Sequence, residues 1–239
     1  MTVRPASPRP MHALVVADGR TPTRQALDAA WPGWDDGVAL VVAADGGAKA
    51  AERLGIRVDL VVGDADSLDP AALDRLAAAG TAVERSPTDK DETDTELALL
   101  AAIRRGAERL TILGALGGRR LDHELANLWL LAHPALGRVR ATILDDTARI
   151  RLVQAPDPEG RPVRLELPGP VGALVSLLPF AGDALGITTE GLRYPLRDEP
   201  LRLGPARGIS NVRLASTASV LLRAGRLLVV EHPATLSGS

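Results

Sequence analysis

The sequence contains no cysteine, which removes disulfides, a thiolate nucleophile and zinc–thiolate centres from consideration. That absence fits a reducing compartment, and the cytoplasm is the expected location. Aromatic residues make up only 2% of the chain, so the core is to be built from Ala, Leu and Val, and each aromatic residue needs its own explanation. No apolar run approaches the roughly 20 residues that span a bilayer. The stretch Met1–Pro10 lacks the apolar segment of a signal peptide, and residues 1–11 are expected to form a loose leader. A formal net charge of −2 gives no electrostatic reason to bind DNA, RNA or an anionic membrane nonspecifically. Small-molecule partners are favoured.

What is present is an ordinary folding composition: 239 residues, 46% apolar and 24% charged, enough for one large domain or two modest ones. From His12 to about Leu144, short apolar runs alternate with Ala- and Leu-rich stretches. Strands are expected at Ala13–Val16, Val38–Ala43, Leu60–Val62, Ala82–Glu84, Leu110–Leu113 and Ala141–Leu144. Helices are expected at Gly47–Leu54, Pro70–Ala79, Thr93–Arg104 and Asp122–Ala132. Asp69 can cap the second of these helices, with Pro70 at its first position. This alternation predicts a mostly parallel, doubly wound, Rossmann-like α/β sheet covered on both faces.

After about Arg149 the pattern changes to short strands punctuated by Pro and Gly. They are expected at Val163–Leu167, Ala173–Leu178, Gly186–Thr189, Val212–Ala215, Ser219–Arg223 and Arg226–Val230, with Ala224-Gly225 read as a tight hairpin turn. The expected organisation is an α/β domain over 12–153 followed by an all-β sandwich over 154–239, divided at the Pro-, Gly- and charge-rich stretch Gln154–Pro162.

In doubly wound sheets ligands bind beyond the carboxyl ends of the strands, and the loops there are acidic and glycine-rich. Strand two runs into Asp45-Gly46-Gly47, strand three into Gly63-Asp64-Ala65-Asp66-Ser67, and strand four into the loop that carries Asp89-Lys90-Asp91-Glu92-Thr93-Asp94. Strand five enters Gly114 through Gly117-Gly118-Arg119-Arg120-Leu121-Asp122-His123. Hard carboxylate oxygens suit Mg²⁺, which is usually held by one or two carboxylates together with substrate phosphates. Glycines let backbone N–H groups approach phosphate, and Lys90, Arg119 and Arg120 offset the negative charge. Each loop alone also reads as ordinary helix capping, Lys90 as a solvated charge and His123 as a first-turn helix residue. Four such loops at one end of a sheet point instead to a phosphate-and-metal site.

The ordered set Asp-Gly-Gly, Gly-Asp-x-Asp-Ser, Lys-Asp-x-Thr-Asp and Gly-Gly followed by Arg-x-Asp-His resembles thiamine pyrophosphokinase. The likeness extends to Thr188-Thr189-Glu190-Gly191-Leu192-Arg193-Tyr194 and Gly208-Ile209-Ser210-Asn211. The resemblance implies a homodimer, sites shared between subunits, and pyrophosphoryl transfer from ATP to thiamine. By matched position it implies Mg²⁺ on Asp64, Asp66 and Asp94. It implies Asp45, Asp91, Arg120 and Asp122 lining the same cleft, and Tyr194, Ser210 and Asn211 at the thiamine pocket, contributed by the β domain across the dimer interface. Tyr194 stands where the family can carry Trp, which keeps ring stacking; the same residue also reads as a plain edge-strand aromatic. The chain has one residue more than the family's Gly-Gly-Arg-x-Asp-His. Aligning Arg120 with the family arginine leaves Arg119 as the insertion, and which of the two faces phosphate stays open. The expected chemistry is attack of the thiamine hydroxyl on the β-phosphorus of ATP, with Asp122, Asp91 or no dedicated base taking the proton. Three competing readings are a metal-dependent glycosyltransferase built on Asp64-Ala65-Asp66, a pyrophosphokinase for another alcohol such as a pterin, and a non-enzymatic nucleotide-binding module.

Overall fold

The structure, a computed structural model, describes residues 10–64, 70–87 and 89–234. In chain order the strands are β1 (His12–Val16), β2 (Val38–Ala44), β3 (Leu60–Gly63), β4 (Ala82–Arg85), β5 (Arg109–Leu113), β6 (Arg140–Leu144), β7 (Arg149–Ala155), β8 (Val163–Pro168), β9 (Leu174–Pro179), β10 (Ala184–Glu190), β11 (Arg197–Leu201), β12 (Asn211–Val212), β13 (Thr217–Leu222) and β14 (Gly225–Glu231). The helices are α1 (Arg24–Ala30), α2 (Gly47–Arg53), α3 (Pro70–Ala78), α4 (Asp94–Arg104) and α5 (Leu121–Trp129). No helix among the described residues is long and apolar enough to cross a membrane.

Two compact units emerge. The first runs to Thr21 and resumes over Asp35–Ala141; the second takes Pro22–Trp34 and the chain from Thr142 onward. In the first unit β1 to β5 form a parallel sheet in the order β5-β1-β2-β3-β4. β1 is buried along its whole length, as a central strand with both faces covered must be. Because the chain builds outward from β1 through β4 and then returns to the other side of β1, the winding reverses between β1 and β5. That reversal opens a crevice at the carboxyl ends of these strands. Helix α4 packs its Ala98, Leu99, Ala101 and Ala102 into the core. It begins cleanly because Thr93 Oγ1 accepts the Glu96 backbone N–H at 3.1 Å, with Asp94 and Glu96 placed favourably for the helix dipole.

Near the start of the same sheet His12, only 2% exposed, receives the Arg109 guanidinium on Nδ1 at 2.8 Å and lies 2.9 Å from Thr111 Oγ1 through Nε2. Nδ1 also lies 3.3 Å from the Asp36 carbonyl. Burial first, and the Arg109 charge second, hold the His12 pKa below the ordinary histidine value.

The second unit is a β-sandwich of two antiparallel layers, β12-β9-β14-β7-β6 and β11-β10-β13-β8. Val153, Val175, Leu177 and Leu227 from one layer meet Leu167, Ile187, Val220 and Leu222 from the other in a common core. One charge is buried there completely. Glu231, 0% exposed, receives Arg149 on Oε1 at 2.8 Å and Arg151 on Oε2 at 2.5 Å, and Arg213 also donates to it. Arg213 donates in addition to the Leu167 carbonyl, so the carboxylate ties β14 in one layer to β8 in the other. Burial would raise the Glu231 pKa, but the three guanidinium groups outweigh it and hold it below the usual carboxylate range.

Several expectations change. The units divide at 141/142 rather than 153/154. The stretch Gln154–Pro162 finishes β7 and forms the loop to β8, because β7 pairs with β14 along its whole length. Residues 22–34 join the second unit through Trp31, whose indole N–H donates to the Asp145 carbonyl at 2.6 Å and whose ring carries the Arg149 guanidinium at 4.9 Å. Ala224-Gly225 is not a hairpin turn. β13 pairs with β8 and β10 while β14 pairs with β7 and β9, so the chain changes sheets there. The strand expected at Val212–Ala215 shrinks to β12, since Arg213 turns inward to Glu231. The helix expected to run to Ala132 stops at Trp129 and continues as a 3₁₀ turn over Leu130–Ala132. Asp69, the expected cap of α3, lies outside the described residues.

Candidate functional site

A cavity of about 290 Å³ opens at the winding reversal of the first unit. It is lined from the loop after β1 by Ala17, Asp18 and Gly19, from the end of β2 and the turn after it by Ala44 and Asp45, and from the start of α4 by Thr93, Asp94 and Thr95. Gly114, Ala115, Gly118, Arg119, Arg120, His123, Glu124 and Asn127 supply the β5–α5 side. The loops after β1 and β5 are locked together by backbone: Ala17 N–H donates to the Leu113 carbonyl at 2.8 Å, Gly19 to Gly114 at 2.8 Å and Arg20 to Leu116 at 2.9 Å. Both glycines are needed for this approach. A Cβ on either would lie 2.3 Å from a carbonyl oxygen of the facing loop.

Asp45 is the most unusual group in the cavity. It sits in the left-handed region at φ 42°, is only 7% exposed, and its Oδ1 is buried without a hydrogen-bond partner. Buried polar atoms normally find partners, and an orphan in a pocket marks a place for a ligand or ion. Asp94 is close by: a Cβ at Gly63 would lie 3.1 Å from Asp45 Cβ and 3.2 Å from Asp94 Oδ1. Lys90 Nζ donates to Asp94 Oδ1 at 2.5 Å and to Ser86 Oγ at 2.8 Å, which holds the cation beside the carboxylates. On the other side Asp18 lines the cavity, its pKa raised by burial first and by Asp45 second.

Of the residues singled out from sequence, the cavity brings together Asp45, Asp94, Gly118, Arg119, Arg120 and His123. Both arginines line it, so the open choice between them is not needed to place positive charge there. Gly46 and Gly47 form the start of α2, and Gly117, at φ 66°, shapes the turn before Gly118; none of these three lines the cavity. Asp64 follows β3, half-buried, and Asp66 lies outside the described residues. Asp91 is exposed in the loop before α4. Asp122 does not line the cavity. It stands on the first turn of α5 and receives Arg120 through Nε at 3.2 Å and Nη2 at 2.5 Å; that guanidinium holds its pKa below the usual carboxylate range. Among the described residues no three His, Cys, Asp or Glu side chains are grouped so as to hold a metal ion by themselves.

Sequence reading missed Asp18, Glu124 and Asn127. The signal for Asp18 was present, since Ala17-Asp18-Gly19 repeats after β1 the carboxylate-plus-glycine pattern of the later loops. Asn127 gave none: it is buried and donates to the Ala115 carbonyl at 2.8 Å, supporting the floor of the cavity.

Comparison with known proteins assigns the family. A model of the thiamin pyrophosphokinase catalytic domain matches residues 34–143, and one of the thiamin pyrophosphokinase vitamin B1 binding domain matches residues 163–227. The chain belongs to the thiamine pyrophosphokinase family. Thiamine pyrophosphokinase of Bacillus subtilis is 27% identical over 199 residues, 83% of this chain and 89% of its own. Thiamine pyrophosphokinase 1 of Oryza sativa is 28% identical over 222 residues, 84% of this chain and 80% of its own. Among solved structures, thiamine pyrophosphokinase from B. subtilis superposes with a TM-score of 0.77 at 25% identity, covering 93% of this chain and 99% of that one. A thiamin pyrophosphokinase family protein from Enterococcus faecalis gives 0.74 at 26% identity, with 93% and 98% covered.

The residues that the family resemblance assigned to thiamine lie in the second unit. Tyr194 is 63% exposed. Its backbone is gripped by the Asn211 amide, which accepts the Tyr194 N–H at 3.0 Å and donates to the Tyr194 carbonyl at 2.8 Å. Asn211 Oδ1 also accepts the Val212 N–H at 2.9 Å, so most of its hydrogen-bonding capacity goes to holding Tyr194 in place. Ser210, at φ 59°, is exposed and donates its backbone N–H to Ser176 Oγ at 3.0 Å.

Proposed function

We propose that this enzyme transfers the pyrophosphoryl group of ATP to the hydroxyethyl oxygen of thiamine, giving thiamine diphosphate and AMP. The observation that carries the reading is the buried Asp45, one oxygen of which has no partner, in one cavity with Asp94, Arg119 and Arg120, in a chain of this family.

The donors suit Mg²⁺ in kind. Asp94 is a hard carboxylate close to Asp45, whose buried Oδ1 is unpartnered, and Mg²⁺ needs only one or two carboxylates once substrate phosphates share it. Asp64, Asp66 and Asp94 would hold the ion, which when bound neutralises phosphate charge. Arg119 and Arg120 balance the remaining negative charge of the polyphosphate, and Asp122 fixes the orientation of the Arg120 fork. Lys90, tethered between Ser86 and Asp94, adds a cation that can turn to a phosphate oxygen. Phosphoryl-type transfer depends on positioning and charge more than on a strong base. Asp122, its pKa held down by Arg120, is a poor proton acceptor, and the reaction needs no dedicated one.

Thiamine stacks on Tyr194, held by Asn211, with Ser210 alongside. The working unit is a homodimer in the cytoplasm, in which the β unit of one copy supplies these residues to the cavity of the other. Incubation with ATP, Mg²⁺ and a panel of acceptors tests the reading. AMP is expected with thiamine and none with a pterin or a sugar nucleotide; AMP with the pterin alone would reassign the acceptor.

A further inference from the structure

Helix α5 has two faces of different character. His123, Glu124 and Asn127 line the cavity, whereas Leu121, Leu125 and Trp129 are 69%, 44% and 62% exposed. Spacing by four residues stacks these three in one stripe, and at about 100° per residue the stripe begins about 60° around the helix from Glu124. It therefore runs beside the cavity. Elsewhere among the described residues of the first unit only Val83 is an exposed large apolar residue, so the apolar surface is concentrated here rather than scattered. A contiguous patch of this kind marks an interaction surface. The other two tryptophans are engaged within the chain, Trp31 with the Asp145 carbonyl and Trp34 with Asp28 Oδ1 at 2.9 Å.

The cavity itself lacks a surface for an aromatic acceptor. Its described lining residues are small, polar or charged, with no Phe, Tyr or Trp among them. Such a surface exists in the second unit, where Tyr194, Ile209 and Leu214 are exposed. Backbone bonds draw this segment together: Leu214 N–H donates to the Gly191 carbonyl at 2.8 Å and Arg193 N–H to Val212 at 2.9 Å, while Asn211 holds both backbone groups of Tyr194. The backbone beneath the ring is thus fixed before anything covers it, which lowers the ordering cost of association. Charge is complementary as well. The first turn of α5 carries Asp122 and Glu124, and the exposed Arg193 adjoins Tyr194. Because one chain carries both patches, two copies related by a two-fold axis cover each patch twice in a closed assembly.

We propose that the face of α5 formed by Leu121, Leu125 and Trp129 is the docking surface for the β unit of a second copy of this chain, met by its Tyr194, Ile209 and Leu214, so that each cavity gains its acceptor wall only in the dimer. The proposal rests on the reading of the cavity and Tyr194 as two parts of one thiamine site. Sedimentation velocity and thiamine-dependent AMP release, both on the full chain over a range of protein concentrations, test it. Wild type is expected to be a dimer. Leu125→Glu places an unpaired charge in the interface and is expected to weaken the dimer about 100-fold or more; Trp129→Ala, which only removes contact, is expected to weaken it about 10-fold. Both variants should keep the wild-type circular dichroism and calorimetric ATP affinity, and their AMP release should follow the dimer fraction, recovering as protein concentration rises. Val83→Glu should leave the dimer at wild-type strength. A monomeric wild type, a dimer as strong in both α5 variants as in wild type, or full AMP release from monomeric Leu125→Glu overturns the proposal. A dimer that breaks as expected in a chain that makes no AMP from thiamine upholds the surface and overturns the acceptor reading alone.

Discussion

Two carboxylates are buried in this molecule under opposite terms. Glu231 in the sandwich is fully buried and receives three arginines. Asp45 in the α/β unit is nearly as buried, yet one of its oxygens has no partner and its backbone is held at positive φ. A saturated buried charge serves the fold, because removing it strands its partners. An unsaturated one in a cavity costs stability and persists where a ligand completes it. The Glu231 cluster thus serves the fold of the second unit, and the first unit carries the unsatisfied carboxylate.

Substitutions at the two sites should separate these roles. Glu231→Ala leaves buried guanidinium groups uncompensated and should cost about 3–5 kcal/mol in urea or thermal unfolding; a loss below about 1 kcal/mol would show that the cluster is not structural. Asp45→Asn should do the reverse, with a melting temperature at or above wild type and turnover reduced on the order of 10²–10³-fold. A clear drop in melting temperature there would place Asp45 with Glu231. Asp64→Ala and Asp94→Ala should lose turnover with the fold intact.

The parallel sheet was readable from sequence because buried strands appear as continuous apolar runs such as Leu14-Val15-Val16 and Val41-Val42-Ala43. The carboxylate loops were readable because residues after strands fall at one end of such a sheet. The division of the units was not readable, since it depends on Trp31 reaching Asp145 and Arg149 far along the chain. Nor was β11 (Arg197–Leu201), whose Arg-Asp-Glu-Pro composition hides an edge strand; Pro is tolerated at a sheet edge. The change of sheets at Ala224-Gly225 looks locally like a hairpin, and only the partners of β13 and β14 reveal otherwise.

Two smaller effects sharpen the contrast. Tyr194→Ala should raise the KM for thiamine about 10-fold, the scale of one lost ring contact, and leave the KM for ATP near wild type; equal changes would remove Tyr194 from the acceptor site. His12 lies in the first unit but behaves as a support group, because its buried ring is held among Arg109, Asp36 and Thr111. Its folded pKa is lowered, so its contribution is complete above the unfolded value of about 6.5 and declines as pH falls below it. Wild type should therefore lose about 1 kcal/mol more than His12→Gln between pH 7.5 and 5.5 in urea unfolding; parallel profiles would contradict this.

The group that moves defines the reaction. Phosphorus NMR of the purified chain with ATP, thiamine and Mg²⁺ follows it directly. AMP and thiamine diphosphate should accumulate one for one, without ADP. ADP appearing with thiamine monophosphate, or ATP left unconsumed, would contradict pyrophosphoryl transfer at this site.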